Sequence, residues 1–239
     1  MLGIIGGSGL EQLEGLELQR EHPMITPYGR LASPVQEGLW QGKKLFFLSR
    51  HNADHSLAPH LINYRANIWA LKSLGVTEVV AVAAVGGITE INGPQVINVP
   101  DQIIDYTWGR EHTFVEAGSE VQHISFCQPY NQALRVKLLA AAEKADQPVV
   151  DRGCYACTQG PRLETAAEIT KLKRDGCDIV GMTGMPEAAL AMEAGLDYAC
   201  LALVVNWGAG VIENEIPLSE IYQNLGQGMV GVERVLGCL

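Results

Sequence analysis

A chain of 239 residues, 47% of them hydrophobic, suits one large α/β domain and is short for two. Its formal charge of −10 disfavours a nucleic-acid or anionic-membrane surface, so an anionic substrate would need a local cluster of donors and cations. Glycines interrupt the apolar run of residues 1–10, no run reaches the roughly 18–20 residues of a spanning helix, and six scattered cysteines are too few for a disulfide framework. A reduced, cytoplasmic globular protein is the expectation.

In chain order, apolar runs and helical periodicities predict strands over 3–5 and 45–48, a helix over 61–74, and strands over 79–85 and 96–99. A helix over 131–144, a strand over 147–150, a helix over 162–174 and a strand over 179–182 follow. The helix over 186–194 opens with Pro186 and Glu187, a residue pair suited to a first turn and its dipole. A strand over 198–205 and a last helix complete the pattern. That helix runs from near Leu218 towards Val235, with Ser219 as a candidate cap. Several strands are apolar on both faces, as in a sheet covered by helices on either side. The expected fold is therefore α/β, a three-layer αβα single domain over residues 1–239. There is no internal repeat, low-complexity segment or linker.

Ligands of such sheets gather where strands end. The first strand exits into Gly6-Gly7-Ser8-Gly9, which could cradle a phosphate with backbone N–H groups and a hydroxyl, or could be a plain turn. It matches neither a dinucleotide fingerprint nor a P-loop. The second exits into Arg50-His51, a planar donor fork matched to phosphate with a further donor beside it, unless Arg50 is an ordinary surface arginine. His51, Asp54, His55 and His60 also invite a metal reading, which the missing HExxH pattern and Pro59 disfavour. Cys154 and Cys157 have redox spacing but fall in an extended segment, so packing is the better expectation. The later strands exit into Thr183-Gly184 and Asn206-Trp207-Gly208, adding a hydroxyl and an amide.

Together these segments resemble the purine nucleoside phosphorylase family, in its methylthioadenosine phosphorylase-like branch. The resemblance is carried by Ile4-Ile5-Gly6-Gly7-Ser8-Gly9-Leu10, Arg50-His51, and Asn63-Tyr64-Arg65-Ala66-Asn67-Ile68-Trp69-Ala70-Leu71. Gly160-Pro161-Arg162, Met182-Thr183-Gly184-Met185-Pro186-Glu187 and Glu193-Ala194-Gly195 extend it over most of the chain. It implies a mixed central sheet, a homotrimer, and phosphorolysis of a purine nucleoside without metal or organic cofactor, inorganic phosphate being the second substrate. Phosphate would be held by Ser8, Arg50, His51, Thr183 and backbone N–H near Ala84. Relatives often carry a hydroxyl where this chain has Ala83. Met182 would lie under the ribose, and Leu163 takes the place of an aromatic against the base.

Relatives that act on 6-aminopurines place aspartates where this chain has Asn206 and Gly208. An asparagine amide can donate to N7 and to a 6-oxo group, so Asn206 is the expected catalytic and base-reading residue and hypoxanthine the expected base. Relatives that use ordinary nucleosides meet the 5′-hydroxyl with a histidine in the C-terminal part. None follows His123 here, whereas Leu218 and Ile221 suit a methylthio group. His123 matches a position that reaches a neighbour's 5′ pocket in trimeric relatives, or it is a surface histidine. The expected substrate is methylthioinosine, with methylthioadenosine or inosine and guanosine as alternatives. A nucleoside hydrolase and a catalytically silent nucleoside-binding protein are rivals from other classes.

Overall fold

The computed structural model describes residues 1–239 apart from Ala53, His55, Ser119 and residues 214–216. Its strands are β1 (Leu2–Gly6), β2 (Glu17–His22), β3 (Ile25–Thr26), β4 (Gly29–Arg30), β5 (Val35–Trp40), β6 (Lys43–Ser49) and β7 (Glu78–Gly87). They continue as β8 (Ile97–Val99), β9 (Gln102–Asp105), β10 (Val149–Asp151), β11 (Cys154–Cys157), β12 (Ile179–Gly181) and β13 (Asp197–Trp207). The α-helices are α1 (Tyr64–Ser73), α2 (Gln132–Lys144), α3 (Ala166–Arg174), α4 (Gly184–Glu193) and α5 (Leu218–Gly237).

Two long strands organise the molecule. β7 and β13 run parallel from Glu78 and Asp197 to Gly87 and Trp207, and β1 and β6 extend the parallel sheet on the other side of β7. Side chains alternate across a strand, so each strand feeds two cores. Val79, Ala81, Ala83 and Val85 of β7 join Tyr198, Cys200, Ala202 and Val204 of β13 in one core, beneath α1 and α4. Val80 and Val82 join Ala199, Leu201, Leu203 and Val205 in the other, beneath α2 and α5. Burying each Val, Ile or Leu on these faces contributes roughly 1.5–3 kcal/mol over leaving it exposed. The result is the expected three-layer αβα arrangement around a mixed sheet. Among the described residues that sheet has eleven strands, with the parallel group β9, β11 and β12 branching from β7 through an antiparallel pairing.

Several boundaries differ from expectation for local reasons. α1 begins at Tyr64 because Asn63 caps it, its side chain accepting from Ala66 N–H at 3.1 Å, while Pro59–Leu61 form a separate 3-10 turn. α3 begins at Ala166 rather than 162, where Thr165 and Glu168 form a capping box. Residues 162–164 are thereby left outside the helix. Met185 is extended, so the regular part of α4 starts at Pro186 as expected. α5 starts at Leu218 behind Pro217 with no side-chain cap, and Ser219 lies inside its first turn rather than capping it. β2 is exposed, polar and, among the described residues, paired only with β5 at the sheet edge, which hides it from a search for apolar runs.

Candidate functional site

β1 stops at Gly6, whereas β7 continues to Gly87. Between Ala81, where β1 ends, and Gly86, where β12 takes up the pairing, the edge of β7 that faced β1 is therefore open. Gly6-Gly7-Ser8-Gly9 turns away there, leaving a cavity of about 790 Å³. Val82 C=O lies on that edge and accepts from Arg50 Nη1 at 3.0 Å. Backbone groups alternate edges along a strand, so Ala84 N–H two residues on faces the same way. A side chain at Gly7 is excluded: its Cβ would stand 2.6 Å from Val82 O and 2.8 Å from Arg50 Nη1. Gly9 has φ +83°, and its N–H donates to Glu11 Oε1 at 3.0 Å, so this part of the turn is already engaged by a carboxylate.

Arg50 is not a surface arginine. It is 1% exposed, at the end of β6. Its Nε and Nη2 donate to Glu187 Oε2 and Oε1 at 2.7 and 2.8 Å, and Glu187, 0% exposed, also accepts from Tyr198 OH at 2.8 Å. Burial pulls the guanidinium towards its neutral form, and the charge and hydrogen bonds of Glu187 more than reverse this, holding Arg50 protonated. Three of its five N–H donors are engaged among the described residues, leaving one on each terminal nitrogen at the cavity. Glu187, expected only as a favourable charge at the start of a helix, thus orients Arg50.

His51 donates through Nδ1 to Leu57 C=O at 2.7 Å, which fixes the ring at the cavity wall. Thr183 precedes α4 without capping it, so its hydroxyl is not spent on the helix. Ser8, Ala83, Ala84, Met182 and Thr183 line the same cavity as Arg50 and His51. His55, part of the metal reading, lies outside the described residues.

At the other end stands Asn206. A bulge in β13 between Val204 and Asn206 re-aims the strand, placing Asn206 opposite Gly86. Its amide nitrogen donates to Trp207 C=O at 2.7 Å, so one N–H of the amide is spent on the chain. The expectation of two simultaneous donations to a base is thereby corrected to one. Leu163 borders this end and is half exposed, and Leu218 and Ile221 line the α5 side together with Tyr222 and Leu225.

Two expected site residues lie elsewhere. Gly208 is outside the described lining; it is packed, its N–H donating to Gly87 C=O at 2.7 Å, and a Cβ there would meet Ile169 at 3.0 Å. His123 is exposed and also outside the lining of this chain's cavity. Conversely, Glu164 lines the cavity and was not expected there, because residue 164 reads as an ordinary helical acid. Arg110 was likewise unforeseen. Its guanidinium donates to Met182 and Met185 C=O at 2.8 and 2.6 Å and to Gln159 C=O at 2.8 Å, bracing the exits of β11 and β12. Cys157 is a packing residue, as expected: it is buried against Met185 N–H, and burial pushes its thiol up to about 12.

Cationic and hydroxyl donors and an acceptor–donor pair thus line a single cavity. The family model described as the phosphorylase superfamily matches residues 1–233. The chain belongs to this superfamily. Among curated superfamily members, a Pseudomonas syringae pv. tomato protein is 55% identical over 98% of this chain and 95% of its own length. A Xanthomonas campestris pv. campestris protein is 52% identical over 99% and 95%. Both bear the name "Probable S-methyl-5'-thioinosine phosphorylase". Among solved superfamily structures, a methylthioadenosine phosphorylase from an antarctic soil metagenomic library superposes with a TM-score of 0.93 at 38% identity, covering 99% of this chain and 84% of that one.

Proposed function

We propose that the chain is an S-methyl-5'-thioinosine phosphorylase, converting that nucleoside and inorganic phosphate to hypoxanthine and 5-methylthioribose 1-phosphate. One observation carries the choice of substrate: Glu164 and Asn206 line one cavity whose other end holds Ser8, Arg50 and Thr183. A 6-oxopurine offers N1–H as a donor and O6 and N7 as acceptors. A carboxylate only accepts, so Glu164 complements N1–H, and the remaining N–H of Asn206 complements N7 or O6. Adenine reverses both groups on its six-membered edge, leaving Glu164 facing a lone pair. The names of the two bacterial relatives support the same substrate.

Breaking C1′–N9 puts oxocarbenium-like charge on the sugar and negative charge on the departing purine. Donation from Asn206 to N7 stabilises the leaving base. Phosphate held by Arg50, Ser8, Thr183, His51 and Ala84 N–H stabilises the sugar cation and then bonds to C1′. The reaction exchanges one leaving group for one nucleophile without oxidation or reduction, so it calls for no redox cofactor, and the Arg50 cluster would supply the charge stabilisation in place of a metal or organic cofactor. Met182 would pack under the sugar, and Leu218, Ile221 and Leu225 offer the 5′-methylthio group an apolar wall. We place the enzyme in the cytoplasm as a homotrimer, an arrangement that would give exposed His123 a role at a neighbour's 5′ end. Among the described residues no helix is long and apolar enough to cross a membrane.

The test is phosphate-dependent cleavage of methylthioinosine, methylthioadenosine and inosine, compared by kcat/KM. Preference for methylthioinosine by orders of magnitude is expected. Preference for methylthioadenosine would overturn the base assignment, and turnover without phosphate would make the protein a hydrolase.

A further inference from the structure

We propose that Thr158 is a specificity-determining positioning residue, whose hydroxyl holds the Glu164 carboxylate towards the base; this deepens, and rests on, the base reading above. Thr158 Oγ1 donates to Glu164 Oε1 at 2.6 Å, and the alternative acceptor for its single proton, Gly181 C=O, is more distant at 3.3 Å. A hydroxyl donating to a carboxylate at this distance makes one of the stronger hydrogen bonds available to a protein.

The two partners differ in how firmly they are mounted. Thr158 sits at the exit of β11, where its N–H donates to Gly181 C=O at 2.8 Å and Arg110 grips the Thr158 and Gln159 carbonyls at 3.3 and 2.8 Å. Glu164 follows the irregular segment Gly160-Pro161-Arg162-Leu163, before α3 begins. Its side chain borders two hollows. One is the main cavity; the other, of about 340 Å³, is lined by Thr158 itself together with Arg162 and Lys171, and Thr158 lies outside the described lining of the main cavity. An unanchored carboxylate could turn into that hollow towards Lys171, Arg162 being paired with Glu168. With Oε1 held by Thr158 at the edge of that hollow, the carboxylate is fixed in one orientation, Oε2 is the oxygen left to accept from a base N1–H, and the site rejects a base whose N1 carries no hydrogen.

The experiment compares kcat/KM for methylthioinosine and methylthioadenosine in Thr158→Val, Thr158→Ser, Glu164→Gln and the Thr158→Val/Glu164→Gln pair. Removing one hydrogen bond to a charged group predicts about a 10-fold loss for methylthioinosine in Thr158→Val. The ratio between the two substrates should fall, and Thr158→Ser should restore it. In the Glu164→Gln background, Thr158→Val should change the ratio less than about twofold, since it acts through Glu164. Equal losses for both substrates, or a full additive effect in the double variant, would overturn the proposal. Thr158→Ala repeats the test if the valine variant does not fold. A Glu164→Gln enzyme with unaltered base preference would instead remove the base reading itself; a collapse there beside a silent Thr158→Val would remove only the role of Thr158.

Discussion

A purine reports its 6-substituent through which edge atoms carry hydrogen, and in the proposed enzyme Asn206 and Glu164 would meet that edge with opposite hydrogen-bonding roles. Replacing Asn206 by aspartate turns the one remaining donor into an acceptor. Asn206→Asp should therefore lower the kcat/KM ratio of methylthioinosine to methylthioadenosine by roughly 10-fold or more. An unchanged ratio in parallel assays would mean that Asn206 does not read the base. The position of Asn206 at the cavity was legible in the sequence because it closes a long apolar run, whereas its base-reading role was an expectation from the family resemblance. Glu164 was not legible, since an acid inside a helical pattern looks like a solvated face. Glu187 was half legible: its place at a helix start is local, but its partner Arg50 lies 137 residues away in the chain.

The segment that carries Glu164 owes its shape to where α3 begins. Thr165 accepts from Glu168 N–H at 3.2 Å, and Glu168 accepts from Thr165 N–H at 2.7 Å and pairs with Arg162. The helical pattern alone extends to 162, and the capping box overrides it by offering residues 162–164 a better-satisfied extended path. Thr165→Ala removes one half of the box and should cost about 1 kcal/mol, a fall in Tm of about 2–4 °C for a domain of this size. A thermal melt indistinguishable from the parent would mean the cap contributes nothing. Glu168 is held down at about 2 by Arg162 first and by Thr165 N–H second. Its contribution is complete above the usual carboxylate range and disappears as pH falls towards 2. Buried strands such as β7 and β13 were readable because both faces are apolar, whereas β2 is polar and pairs with β5 across an intervening segment, and β5, although a two-residue turn joins it to β6, mixes polar and apolar positions.

At the scale of the molecule, two cores flank the β7–β13 pair and a smaller one lies under α3, and the site occupies the end where the sheet's strands differ in length. The proposed homotrimer is checked by sedimentation, which should report three times the 25.8 kDa chain. A monomer would leave His123 outside every active site. The three layers were legible from the alternation of strands and helices. The cavity was not, because it arises from β1 ending at Gly6 beside a β7 that runs on to Gly87. That mismatch has a consequence for the proposed enzyme's energetics. Val82 C=O and Ala84 N–H stand where a longer first strand would have supplied rungs of a ladder. An anion seated beside Ala84 would take the place of that absent strand. Occupancy would then add to the sheet's own cohesion, so that saturating the enzyme and stiffening its central scaffold become a single event.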